Sequence, residues 1–156
     1  MAQTTKSIEV NVPVRTAYNQ WTQFEEFPRF MEGVERVEQL DDTHLHWRAS
    51  VGGHTEEWDA KITEQIPDER VAWTSTDGKG NGGVVTFHRL NDDTTKVMVQ
   101  LDYETDGLLE KAADVIGLPE RRVKADLERF RELIETRGRE TGAWRGEVRH
   151  SDDATT

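Results

Sequence analysis

The stretch from residue 107 to residue 138, "GLLEKAADVIGLPERRVKADLERFRELIETRG", decides the fold. After a break at residues 117–119, its apolar residues recur at helical spacing: Val123, Leu127, Phe130, Leu133 and Ile134. The pattern predicts a helix over residues 108–137 with a kink or break near Pro119, because proline lacks an amide donor and clashes with the preceding turn. Gly138 is well placed to end the helix. A long amphipathic helix needs an apolar surface to cover.

The chain before this helix alternates apolar and polar residues, which is typical of half-buried strands. The alternation covers "SIEVNVP" (residues 7–13) and six further segments between residues 34 and 104, separated by short polar turns. Such spacing predicts an antiparallel meander with one apolar face and one solvated face. Between the first strand and the meander, we expect two short helices, the first over residues 13–23 and the second near Pro28.

The predicted elements combine into an α+β fold: a curved antiparallel sheet of about seven strands wrapped around the long C-terminal helix, with two short helices after the first strand. Trp47, Trp58 and Trp73 fall on the apolar side of their strands, and Phe87 and Tyr103 continue the series. Large rings on a concave face are hard to pack against one helix without leaving space. We therefore expect an open cavity between the helix and the sheet.

Several segments resemble the START-like helix-grip superfamily, specifically its polyketide cyclase/dehydrase and coenzyme Q-binding branch. They are the opening "SIEVNVPVRTAYNQWTQFEEFPRFMEGVERVEQLDDTHLHW", then "RVAWTSTDG" and "GGVVTFHRLNDDTTKVMVQLDYE", and the closing "DLERFRELIE". The resemblance covers about residues 5–138. It implies a helix-grip fold around an elongated, mostly apolar cavity. Some members of this superfamily bind lipids, quinones or polyketides, and others catalyse cyclisation or dehydration.

The chain is expected to form one domain over residues 1–138, followed by a flexible tail over residues 139–156. The tail sequence, "RETGAWRGEVRHSDDATT", has no periodic apolar pattern.

The leading hypothesis is a domain that holds a hydrophobic ligand, of polyketide, quinone or lipid type, between the sheet and the C-terminal helix. The candidate ligand-binding residues are the following: Phe27, Phe30, Met31, Trp47, Trp58, Trp73, Phe87 and Tyr103. Phe27, Phe30 and Met31 belong to an aromatic run, residues 24–31, that either lines the mouth of the cavity or simply packs in the core. The sequence leaves these alternatives open.

Two other functions compete with ligand binding. A cyclase or dehydratase needs an acid or base inside the cavity, and Tyr103 is the best single candidate, although a core tyrosine fits the same position. Ser75 and Glu56 also lie on the inward side of their strands. No confident catalytic residue emerges, so whether the protein is an enzyme stays open. The second alternative is a structural or partner-binding domain.

Composition excludes several classes of function. The net charge of −11 argues against a nucleic-acid partner. The absence of cysteine excludes a thiol nucleophile or thiolate metal site. His44 and His46 fall on the solvated side of their strand, so we expect no metal and no cofactor. The sequence lacks a signal peptide and an apolar run long enough for stable membrane insertion, which predicts a cytoplasmic location. Oligomeric state is left open.

Overall fold

A seven-stranded antiparallel sheet forms the body of the computed structural model, which describes residues 2–51, 54–76, 81–103 and 118–149. The strands are β1 (Ala2–Val10), β2 (Val34–Gln39), β3 (His44–Val51), β4 (His54–Ile66), β5 (Arg70–Ser75), β6 (Asn81–Asn91) and β7 (Thr94–Tyr103). Their order is β1-β7-β6-β5-β4-β3-β2, and the sheet curls into a half-barrel. The predicted six-strand meander is confirmed, and β1 completes the sheet by pairing with β7.

Over the described residues, three helices accompany the sheet: α1 (Val14–Trp21), a 3₁₀ helix (Phe24–Arg29) and α2 (Leu118–Arg137). The two short helices after β1 are confirmed, but the second begins at Phe24, and Pro28 lies within it. The long helix α2 begins beside Pro119, where the missing amide donor costs little. The predicted helical residues 108–117 lie outside the described part of the chain. Gly138 ends α2 with a φ of 75°, and its N–H donates to the Ile134 carbonyl over 2.8 Å.

The core lies between the concave face of the sheet and α2, with Trp21 at its centre. The Trp21 ring centroid is 4.9 Å from that of Phe130 on α2 and 5.4 Å from that of Phe30. The inward stripe predicted for the helix is confirmed, because Val123, Leu127, Phe130 and Ile134 are buried, and Leu133 is half-buried and packs against the core. These ring contacts hold α2, α1 and the segment after the 3₁₀ helix together in one apolar cluster.

A β-bulge in β4 changes which side chains face the core. The register between β4 and β5 shifts between Ile62 and Glu64. Without it, strict alternation from Trp58 would turn Glu64 inward. Instead Gln65 pairs with Val71 and is buried, at 1% exposure. The bulge therefore places a neutral amide in the core and leaves the carboxylate of Glu64 beside Arg70, 3.3 Å away.

Residues 139–149 follow α2 and contact α1 and the end of β4. The Thr141 N–H donates to Gln20 Oε1 over 2.9 Å, and the Trp144 N–H donates to Thr22 Oγ1 over 3.1 Å. Val148 and Gln65 exchange two backbone hydrogen bonds of 2.7 and 2.9 Å. The domain boundary at residue 138 and the flexibility of the tail stay predictions. Measuring the stability of variants with substitutions in this segment tests both.

Candidate functional site

Three indoles lie on the core side of the sheet, as the alternation predicted. Trp47 and Trp58 face each other across β3 and β4 with ring centroids 5.9 Å apart and planes inclined by 4°. Trp73 on β5 pairs with Ile62 of β4. Trp47 is buried, whereas Trp58 and Trp73 are half-buried and pack against the core cluster. Trp58 and Trp73 therefore combine core contact with remaining exposed surface.

Trp73 lies close to the backbone of β6 because residue 83 has no side chain. A Cβ at Gly83 would lie 2.9 Å from Trp73 Cζ2, closer than real contacts allow, and 3.0 Å from Leu101 Cδ2, which is tighter than most. The indole of Trp73 and the side chain of Leu101 therefore approach each other over Gly83. This arrangement extends the apolar surface of the sheet from β5 to β7.

The half-buried apolar side chains at this end of the sheet form what we call the apolar rim: Met31, Val34, Trp58, Trp73 and Leu101. They belong to the starts of β2 and β4, the ends of β5 and β7, and the loop before β2. The opposite end of the concave face is filled by buried side chains such as Val71, Val85 and Val97. The concave face thus has a closely packed half and a half that is still partly accessible.

Three of the other predicted ligand residues lie in the core and are not part of the rim. Phe27, Phe30 and Phe87 are buried in the core, with exposures of 3%, 1% and 5%. Phe87 contacts Tyr18, with ring centroids 5.4 Å apart. Tyr103 is the last residue of β7, and its side chain lies outside the described part of the structure. Ligand contact by any of the eight candidates stays a prediction, with Met31, Trp58 and Trp73 the best placed.

Three polar side chains occupy register positions on the concave face near the rim. Glu56 pairs with Ala49, Ser75 pairs with Ala60, and Lys6 pairs with Val99; the three polar side chains are half-buried. The sequence pattern predicts the inward positions of Glu56 and Ser75. Lys6 is not among the predicted residues, although the alternation of β1 extends back from Ile8 to this lysine. Charged and hydroxyl groups beside an apolar surface are suited to orient a ligand.

Comparison with known proteins identifies the family. A family model described as "Polyketide cyclase / dehydrase and lipid transport" matches residues 10–131. The chain belongs to this family. A 17.2 kDa protein from the melC2-rnhH intergenic region of Streptomyces lincolnensis is 61% identical over 149 residues, which covers 95% of this chain and 99% of that relative.

Solved structures of other proteins share the fold of this chain. The Zhui aromatase/cyclase from Streptomyces sp. R1128 has a TM-score of 0.74 at 16% identity, covering 92% of this chain and 99% of that one. A START superfamily protein from Mycobacterium smegmatis has a TM-score of 0.67 at 18% identity, covering 84% and 98%. At such identities the likeness shows the fold alone, and the helix-grip fold implied by the sequence resemblance is confirmed.

The outer face of the sheet is charged. His46 lies between two carboxylates, with its Nδ1 2.6 Å from Asp59 Oδ1 and its Nε2 2.9 Å from Glu57 Oε1. Hydrogen bonds to these carboxylates, Glu57 first, raise the pKa of His46. His44 contacts Asp41 on the same solvated side, as predicted. Among the described residues, no group of three or more His, Asp or Glu side chains is arranged to hold a metal ion.

A groove of about 550 Å³ follows the side of α2 that faces away from the core. Its walls are mostly charged or polar: Ala125, Glu128, Arg129, Arg131, Glu132, Glu135 and Thr136. Such walls do not suit an apolar ligand, so the groove is not the site expected from the sequence. Over the described residues, neither α1 nor α2 has the length and apolar character needed to span a bilayer.

Proposed function

We propose that the protein binds a hydrophobic small molecule against the apolar rim, between the sheet and α2. The observation that carries this proposal is the partial exposure of Trp58 and Trp73 on the concave face, beside a core whose other described aromatic rings are buried. Large apolar side chains left accessible in a concave surface are typical of ligand sites. The family description, which names lipid transport and cyclisation, supports the same class of ligand.

The rim supplies flat, apolar contact surface. Each 100 Å² of apolar area removed from water contributes about 2.5 kcal/mol, so a ring that covers both indoles gains several kcal/mol before the cost of association. Indoles also prefer offset-stacked or edge-to-face contact with other rings. Lys6, Ser75 and Glu56 lie on the same face and would orient a polar group of the ligand. A ligand with a planar ring and one polar end fits best.

Catalysis is the alternative function. It is suggested by the family description and by the likeness to the Zhui aromatase/cyclase. Tyr103 stays its candidate acid. The described geometry supports binding better, because exposed apolar surface is what a carrier needs. We further propose that the protein acts in the cytoplasm and that its strong negative charge keeps it from nucleic acid.

Titration with N-phenyl-1-naphthylamine, a neutral fluorescent ring compound, tests the proposal. Binding should quench tryptophan fluorescence and raise the melting temperature through mass action on the native state. Trp58→Ala and Trp73→Ala should each raise Kd about tenfold, which corresponds to about 1.4 kcal/mol of lost contact. Trp144→Ala is the matched control, since Trp144 is a half-buried indole in the C-terminal segment, away from the rim.

Two outcomes would contradict the proposal. One is the absence of any binding by the wild-type protein. The other is binding that responds to Trp144→Ala as strongly as to Trp58→Ala or Trp73→Ala. Urea denaturation of each variant separates lost binding from lost stability, because a purely structural indole would lower the free energy of unfolding by several kcal/mol.

A further inference from the structure

Four side chains at the closely packed end of the sheet form a polar end cluster: Tyr18, Gln65, Asp68 and Arg145. Tyr18 and Gln65 are almost completely buried, with exposures of 0% and 1%. The Tyr18 hydroxyl, both amide atoms of Gln65 and Asp68 Oδ1 are buried without a hydrogen-bond partner. Buried polar atoms nearly always have a hydrogen-bond partner. Four buried polar atoms without one in the same place therefore indicate that another molecule binds between them.

The fold brings these groups together from four separate segments. Tyr18 lies on α1, and Gln65 faces inward because of the β4 bulge. Asp68 lies in the turn between β4 and β5 with a φ of 63°. Arg145 comes from the C-terminal segment, and its guanidinium carbon is 5.6 Å from the centroid of the Tyr18 ring. The backbone pairing of Val148 with Gln65 brings the same segment against the end of β4.

The charges in the cluster balance, so the missing partner should be neutral. Arg145 donates to Asp68 Oδ2 over 2.8 Å and to Asn19 Oδ1 over 2.6 Å, which pairs the one cation with the one carboxylate. Burial raises the pKa of Tyr18 despite the smaller opposing influence of Gln65 and Arg145, so the phenol stays protonated. An anion would meet the Asp68 carboxylate, and a cation would meet the Arg145 guanidinium.

The orphan atoms also specify the hydrogen-bonding character of the partner. Gln65 offers both a donor and an acceptor, the Tyr18 hydroxyl can act as either, and Asp68 Oδ1 accepts. The Gln65 amide is close enough to the Tyr18 hydroxyl to lower its pKa through a hydrogen-bonding contact, yet the two groups do not meet the geometry of a full hydrogen bond. A molecule that bridges them must donate and accept at one atom. A hydroxyl group does this, and leaving all four atoms unpaired would cancel much of the stability of a domain of this size.

We propose that the polar end cluster is a binding site for a neutral hydroxyl group, which bridges Tyr18, Gln65 and Asp68 beneath the C-terminal segment. The hydroxyl belongs either to a water molecule or to an alcohol group of a small organic molecule. Buried waters in proteins typically make about three hydrogen bonds to polar groups of this kind. The site is independent of the apolar ligand proposed for the rim.

NMR magnetisation transfer to the Gln65 side-chain amide protons tests the site and separates the two sources. It is measured on protein as purified and on protein refolded from guanidinium in buffer that contains water as the only hydroxyl compound. Transfer from the water resonance in both preparations assigns water. Transfer from another resonance that disappears after refolding assigns an organic hydroxyl. If neither preparation shows transfer from water or from an organic hydroxyl, the proposal is overturned.

Two variants of nearly unchanged size give a second, independent readout. Gln65→Met and Tyr18→Phe should each lower the melting temperature by roughly 2–4 °C, because each removes a hydrogen bond to the bound hydroxyl. If the atoms are truly unpaired, the same substitutions remove a desolvated polar group and raise the melting temperature, which overturns the proposal. Gln100→Met is the control: Gln100 lies on the outer face of β7, and its replacement should change the melting temperature little.

Discussion

Replacing Arg145 with alanine tests whether the C-terminal segment is docked on the domain in solution. The Arg145 side chain donates two hydrogen bonds, to Asp68 Oδ2 and Asn19 Oδ1, and the two charged side chains are 29% and 34% exposed. Hydrogen bonds to charged groups contribute about 1.5–3 kcal/mol when well buried, and solvent screening at this exposure reduces that contribution. We expect Arg145→Ala to lower the free energy of unfolding by about 2 kcal/mol, partly because Asp68 loses its cation.

Urea denaturation and thermal melting measure this loss. A change of about 2 kcal/mol corresponds to a fall in melting temperature of roughly 4–8 °C for a domain of this size. Arg149→Ala is the matched control in the same segment. Arg149 pairs with Glu147 at an exposed position, so its loss should cost less than about 0.5 kcal/mol. Equal, negligible effects of both substitutions would refute the docked arrangement and support a flexible tail from residue 139.

Three further variants test the core, the end of α2 and the outer face. Phe130→Ala should lower the free energy of unfolding by about 3–5 kcal/mol in urea titrations, because the ring is fully buried against Trp21; a loss below about 1 kcal/mol would contradict that packing. Gly138→Ala should cost about 1 kcal/mol by the same assay, since φ is positive there; a stabilised variant would be inconsistent with the left-handed conformation. The His46 pKa is raised above its usual 6.5, so its contribution to stability is present below pH 6.5 and is lost as pH rises through the folded-state pKa. His46→Gln should flatten this part of the stability profile, and an NMR titration of the imidazole that shows a pKa below 6.5 would contradict the prediction.

The fold was predictable from sequence because its signal is repeated along the whole chain. Two-fold alternation in the strands and helical spacing from Val123 to Ile134 each bury one face, and burial of apolar surface is the dominant favourable term in folding. Gly138 ended the helix where glycine chemistry predicts. These features depend only on local pattern, which a single sequence contains.

The candidate site was less predictable because it depends on how elements meet. Alternation placed Phe87 and Trp73 on the same face of the sheet. Tertiary contacts decide that Phe87 is buried in the core and that Trp73 is half-buried. The bulge that turns Gln65 inward has no glycine or proline to mark it in "KITEQI". Likewise, the aperiodic segment around Arg145 gave no sign of its ionic contact with Asp68, since charge pairing between distant segments leaves no local pattern.

The pairing of β1 with β7 has a consequence for how fast the protein folds. The first strand of the chain finds its partner only in Thr94–Tyr103, and the side-chain amide of Gln3 donates to Asp102, 99 residues further along. During synthesis, β1 therefore waits without its partner until about two thirds of the chain has been made. Closing so long a loop costs chain entropy before the contacts between β1 and β7 form. Such a high contact order slows folding to the millisecond-to-second range. A chain truncated before β7 leaves both β1 and β6 with unpaired backbone groups, which makes the nascent domain prone to aggregation until that strand emerges.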